Sequence, residues 1–158
     1  MKITIVSKNV SIDDVRHLFL KYHQELNIDL SFQDFQDELT SLPGKYGPPD
    51  GCLCVAYDQG VAIGCVALRK FSDAIGEIKR LYVNPSYRKQ HIALNLMNKI
   101  IACSYTLGYQ TLLLDTLSSM TPAINLYKKI GFYKIDAYYN NPLKNVVYLR
   151  KDLASNQK

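Results

Sequence analysis

The turn Tyr87-Arg88-Lys89-Gln90-His91 is the stretch whose residue types point most directly to chemistry. It stands immediately ahead of a helical run. A helix start offers unpaired backbone N–H groups and a partial positive charge, which together make a seat for phosphate. Arg88 and Lys89 add formal charge. Two readings stay open at this level, an anion seat and a solvated basic turn. The turn is not a P-loop, because the chain has no GxxxxGKS or GxxxxGKT, and no GxGxxG follows a strand. Glu77 is the other group to weigh, 11 residues earlier (88 − 77) on a strand where it can take a proton or pair with Lys79 or Arg80. The four cysteines are Cys52, Cys54, Cys65 and Cys103. Cys52 and Cys54 share one face of a strand, but no CxxC or His-rich spacing suggests zinc. Small buried thiols in a reducing compartment are the expectation. Cys103 has no His/Asp constellation and reads as packing, and His17 and His23 read as solvated helix residues.

The elements that position these groups follow from periodicity. Ile75 to Val83 reads as a strand, since Ile78, Leu81, Tyr82 and Val83 are bulky, β-branched or aromatic. Asn84-Pro85-Ser86 stops it. From Ile92 the spacing turns helical through Leu96, Ile100 and Cys103, with Ala93, Met97 and Ile101 widening the apolar face. Leu107-Gly108-Tyr109 ends that helix. Thr111 to Asp115 reads as a buried strand, and its helical link to Ile75–Val83 predicts a parallel, right-handed βαβ unit.

Upstream, Lys2 to Val6 reads as a strand. Ser11 caps a helix carrying Val15, Leu18, Phe19, Tyr22 and Leu26, and Ser31 caps a shorter one with Phe32, Phe35 and Leu39. Leu42 to Gly51 is a Pro/Gly loop holding Tyr46. Cys52–Tyr57 and Val61–Phe71 form a hairpin through Asp58-Gln59-Gly60. Downstream, Thr121 caps a helix with Pro122 at its first position, Gly131 ends it, Tyr138 to Pro142 is an aromatic loop, and Val146–Arg150 closes the sheet.

Arg88-Lys89-Gln90-His91-Ile92-Ala93 resembles the acetyl-CoA-binding motif of the GNAT N-acetyltransferases, usually written Q/R-x-x-G-x-G/A. Lys79 to Arg88 resembles that family's fourth strand and its exit. Ala123-Ile124-Asn125-Leu126-Tyr127-Lys128-Lys129-Ile130-Gly131-Phe132 resembles its A-x-x-L-Y-x-x-x-G-F signature. The resemblance covers nearly the whole chain. It implies an α/β GNAT fold, a mixed and mostly antiparallel sheet of about six or seven strands with helices on both faces. It implies acetyl transfer from acetyl-CoA to a primary amine by direct attack, with no metal. Glu77 is then the candidate base, its pKa expected to rise on burial, and Tyr127 the candidate acid. Backbone N–H groups near Leu81, Tyr82 and Val83 would polarise the thioester carbonyl. Main chain of Arg88, Lys89, Gln90, His91, Ile92, Ala93 and Leu94 would hold the pyrophosphate, with charge contacts from Arg88 and Lys89.

Three positions depart from the pattern. His91 replaces the motif's middle Gly, Lys89 stands where many relatives have Gly, and Met120 replaces an Asn common shortly before the second signature. A helical first turn does not need Gly, so His91 is expected to narrow the cradle without abolishing it. The departures keep a second reading in view, a non-catalytic acyl-CoA-binding regulatory module.

The 158 residues suit one domain over 1–153 with a polar tail at 154–158, and 47% hydrophobic residues suffice for a packed core. Nineteen Lys plus Arg against 14 Asp plus Glu give +5, which suits an anionic ligand such as CoA. No dense Lys/Arg run marks nucleic acid, and no apolar run is long enough for a membrane. The expectation is a cytoplasmic protein whose acceptor is a small amine or amino-acid-like metabolite first, a peptide or protein amine second. Edge strands leave room for a homodimer.

Overall fold

Along the second hairpin strand, Val66 and Leu68 join one buried cluster while Cys65 and Ala67 join another. That alternation is the period-2 geometry of a strand buried on both faces, and it divides the molecule into two layers of helix around one sheet. The computed structural model describes residues 3–27 and 34–153. Its strands are β1 (Ile3–Val6), β2 (Cys52–Asp58), β3 (Val61–Ser72), β4 (Ile75–Val83), β5 (Thr111–Leu117), β6 (Tyr133–Ile135) and β7 (Val146–Asp152). Its α-helices are α1 (Ile12–Leu26), α2 (Phe35–Ser41), α3 (Ile92–Thr106) and α4 (Thr121–Lys129).

The sheet has seven strands in the order β1-β2-β3-β4-β5-β7-β6, and every neighbouring pair is antiparallel except β4–β5. This is the mixed, mostly antiparallel α/β sheet expected from the sequence, with β4-α3-β5 as the parallel unit. Ile92, Leu96, Met97 and Ile100 of α3 cover one face together with Tyr127 of α4. Val15, Leu18 and Phe19 of α1, with Phe35 and Leu39 of α2, cover the other. A fully buried side chain such as Leu96 or Ile100 contributes about 1.5–3 kcal/mol by leaving water, so α3 is fixed by its core face.

Local signals set most boundaries. Ser11 Oγ accepts from Asp14 N at 3.2 Å and starts α1, and Asn27 ends it in a left-handed conformation. Ser31 and Phe32 lie outside the described residues; α2 begins at Phe35 with Asp34 as its N-cap. Thr121 is not the cap of α4. It is the first helical residue, with Met120 at the cap position and Pro122 in the first turn. Tyr46 is not displayed on a rim but is 3% exposed, its hydroxyl donating to Glu38 at 2.9 Å. Among the described residues, no helix is long and apolar enough to cross a membrane.

Two irregularities shape the centre of the sheet. The β4–β5 ladder runs only from Ile75–Thr111 to Glu77–Leu113, after which β4 stays with β3 and β5 stays with β7. The sheet therefore forks. Across β3–β4, Ala67 pairs with Lys79 and Cys65 with Tyr82, so Arg80 and Leu81 stand opposite Val66 alone. Arg80 sits at φ 65°. This bulge turns the backbone of β4 at the mouth of the fork.

Candidate active site

Two clefts open at the fork and share a wall. One lies between the diverging strands, lined by Leu81, Leu114, Asp115, Met120, Ala123 and Tyr127 among others. The second, of about 300 Å³, is lined by Glu38, Arg69, Phe71, Glu77, Tyr139 and neighbours. Lys79 and Arg80 line both. Tyr127 reaches the first cleft from α4, is 6% exposed, and meets Phe132 edge-on at 6.0 Å. Burial, with help from the phenol of Tyr22 and the Asp115 carboxylate, pushes its phenol well above the usual range. Beyond Glu77, the β5-facing edge of β4 has no strand partner, which leaves main chain around Leu81, Tyr82 and Val83 facing the fork.

The exit of β4 leads through a short 3-10 turn, Pro85–Tyr87, held by Asn84 Oδ1 accepting from Ser86 N at 2.9 Å. Arg88 then runs extended, and Lys89 and His91 adopt left-handed φ values of 64° and 63°. His91 is the N-cap of α3 and makes no side-chain cap bond. The N–H groups of Ile92, Ala93 and Leu94 open the helix unpaired by its ladder. These dihedral angles correct the expectation that His91 needs no glycine-like backbone. Both non-glycine departures occupy left-handed positions, and each such residue costs about 1–2 kcal/mol. Arg88 is engaged within the chain as well. Its Nε donates to Val83 O at 3.0 Å and its Nη2 pairs with Glu25 of α1, so its side chain ties the strand exit to that helix. Lys89 and Gln90 are exposed.

On the α1 side of the sheet, Glu77 is 1% exposed. Arg69, directly across the β3–β4 ladder, donates from Nε at 2.9 Å and reaches the same Oε1 from Nη2 at 2.8 Å. Tyr138 donates to Oε2 at 2.6 Å, and Lys79 Nζ stands 3.9 Å from that oxygen. Burial pushes the Glu77 carboxyl up, but Lys79, Arg69 and the hydrogen bonds outweigh it and hold the group below the usual carboxylate range. The sequence expectation of a raised pKa is therefore reversed. Burial pulls the Lys79 ammonium below the usual lysine range against the opposing pull of Glu77.

Arg80 and Asp115 are engaged within the chain. Arg80 donates to Glu38 from Nε at 2.8 Å and from Nη2 at 3.0 Å, and it lies against the rings of Tyr22 at 5.5 Å and Phe35 at 5.3 Å. Asp115 accepts from Tyr139 and Asn141. Tyr138, Tyr139 and Tyr148 pack edge to face with centroids 5.4 to 5.9 Å apart.

The acetyltransferase (GNAT) family model matches residues 12–132. The chain belongs to the GNAT acetyltransferase family. An uncharacterized N-acetyltransferase of Schizosaccharomyces pombe is 42% identical over 156 residues, covering 98% of this chain and 96% of its own. The N-acetylaspartate synthetase of Xenopus tropicalis is 27% identical over 135 residues, 81% of this chain and 50% of its own. The PaiA N-acetyltransferase of Thermoplasma acidophilum, solved in complex with coenzyme A, superposes with a TM-score of 0.74 at 18% identity, over 97% of this chain and 100% of that one. The chain is thus an acetyl-CoA-dependent N-acyltransferase by family, and it shares its overall fold with that solved structure.

Sequence reasoning named Glu77, Tyr127 and the turn into α3, and the fold brings Glu77 and Tyr127 to the two sides of one fork. It missed Arg69, Asp115 and Glu38, and treated Tyr138 and Tyr139 as a loop. Lys79 and Arg80 carried a usable signal. Two consecutive cations in a strand buried on both faces force either a buried charge or a bulge, and here both occur.

Proposed function

We propose that this chain transfers an acetyl group from acetyl-CoA to the primary amine of a small, amino-acid-like metabolite that carries a carboxylate. The observation that carries the reading is Lys79. It is 8% exposed and stands in the wall common to both clefts, and its ionic contact among the described residues is with Glu77, at 3.9 Å. Its neighbours Arg69 and Arg80 are already committed to carboxylates of the chain. A cation so buried gains most from an anion that replaces lost water, and an acceptor carboxylate supplies it beside the reacting centre. The relative named N-acetylaspartate synthetase is in keeping with an anionic amine. A peptide acceptor would call for an open rim at Tyr138 and Tyr139, and both hydroxyls are tied to Glu77 and Asp115.

In this mechanism the unpaired N–H groups of Ile92, Ala93 and Leu94, with main chain of Arg88 to His91, hold the pyrophosphate. Acetyl-CoA supplies the thioester. Main-chain N–H groups around Leu81, Tyr82 and Val83 polarise its carbonyl. The amine nitrogen forms a bond to that carbon as the carbon–sulfur bond breaks. The acceptor reacts as its neutral amine, having lost one proton to solvent; the second proton, shed as the amide forms, leaves toward Glu77 through water. Glu77 is held ionised, so it anchors the ammonium well and is a weak base, and the acceptor's own ionisation carries most of the pH dependence. Tyr127, kept protonated by burial, donates a hydrogen bond to the departing sulfur. Thiol release measured over matched acceptors tests the reading. Amino acids should turn over at least about 10-fold faster in kcat/KM than their decarboxylated amines; equal rates, or rates confined to peptides, would overturn it.

A further inference from the structure

Three of the four cysteines meet on the sheet face away from Glu77. Cys52 and Cys54 project from the same face of β2, and Cys103 comes down on them from α3; their sulfurs all lie within 4.8 Å of one another. Cys54 is buried, while Cys52 and Cys103 are partly exposed, so the group has both a floor and an opening. The fourth cysteine, Cys65, lies in the other core layer and donates to Arg80 O.

We propose that Cys52, Cys54 and Cys103 form a binding site for a thiophilic d10 cation of the zinc type. A tetrahedral zinc with sulfur at about 2.3 Å sets its sulfurs about 3.8 Å apart, so each pair has to close by roughly 1 Å or less, within reach of side-chain rotation. Soft thiolates select zinc or copper(I) over magnesium or calcium. Binding releases the thiol protons and leaves three thiolates on one dication, a net negative centre. A water completes the fourth position. The adjacency was hidden in the sequence because it joins residues 49 apart (103 − 54) through a helix-on-sheet contact.

The site would brace α3 against β2, and it makes no use of the acetyl-transfer groups. Its test is titration of the reduced full-length protein with Co²⁺ under anaerobic conditions, followed by displacement with Zn²⁺. One equivalent of Co²⁺ should give a thiolate-to-metal charge-transfer band with tetrahedral d–d absorption, and Zn²⁺ should abolish both and raise Tm. Cys103→Ser and Cys54→Ala should each weaken binding by more than about 100-fold, while Cys65→Ala should bind as the parent does. Absence of the charge-transfer band, or equal weakening by Cys65→Ala, would overturn the proposal. So would oxidation to a disulfide in place of metal uptake when both are offered.

Discussion

Tyr138 donates its hydroxyl hydrogen to Glu77 Oε2 at 2.6 Å, joining the loop before β7 to a carboxylate 61 residues earlier. The contact sets an aromatic ring against a buried carboxylate, and Phe71 meets that ring edge-on at 5.2 Å.

Glu77→Gln is expected to lower kcat by about 100-fold or more, within the range a positioned acid–base group supplies, with CoA affinity unchanged by calorimetry. Because Glu77 is held ionised below the ordinary carboxylate range, the parent's rate should show no bend attributable to it between about pH 5.5 and 8. A limb in that window that disappears in the Gln variant would contradict the assignment.

The same shift predicts an acid-labile fold. A carboxyl whose folded pKa lies below its unfolded value adds stability that is complete above the unfolded value and is lost as pH falls through the folded one. Urea unfolding from neutral pH to about pH 3 should therefore show a steeper loss in the parent than in Glu77→Gln. Tyr138→Phe, which removes one hydrogen bond holding the anion, should fall between the two.

Lys89→Gly and His91→Gly should each stabilise slightly. Relief of a left-handed non-glycine residue is worth about 1–2 kcal/mol, and the added freedom of glycine in the unfolded chain takes back about 0.5–1 kcal/mol. A net gain of up to about 1 kcal/mol, with acetyl-CoA affinity equal or tighter, is the expected outcome of paired unfolding and calorimetric titrations. Loss of affinity in His91→Gly would show that the imidazole itself touches the cofactor.

Tyr127→Phe should slow the chemical step about 10-fold or more in single-turnover experiments, with acetyl-CoA affinity within about twofold. Its ring already packs on Phe132, so Phe preserves the core and unfolding should be nearly unchanged. A variant that turns over normally removes the hydroxyl from the mechanism.

The sheet was legible because its strands announce themselves. The hairpin signal Asp58-Gln59-Gly60 between Cys52–Tyr57 and Val61–Phe71, the stop at Asn84-Pro85, and the helical period from Ile92 are local signals, and local signals survive into the fold. The family motifs located the strand exit and Tyr127. What stayed hidden depends on register. The bulge at Arg80 has no sequence mark except two adjacent cations, yet it shapes the strand where both stand in the wall that the two clefts share. The partners of Glu77 come from β3 and from the loop before β7, and composition does not say whether two cations and a phenol outweigh burial. The left-handed backbone at Lys89 and His91 was obscured because neither residue is the one that conformation favours.

Lys79 is the most direct place to test the acceptor assignment. The ratio of kcat/KM for an amino acid to that for its decarboxylated amine should be compared in the parent and in Lys79→Gln. A loss of about 10-fold or more in that ratio, carried by KM for the carboxylated acceptor over and above any change common to both acceptors, is the predicted result. A ratio unchanged by the substitution would contradict the claim that Lys79 reads an acceptor carboxylate.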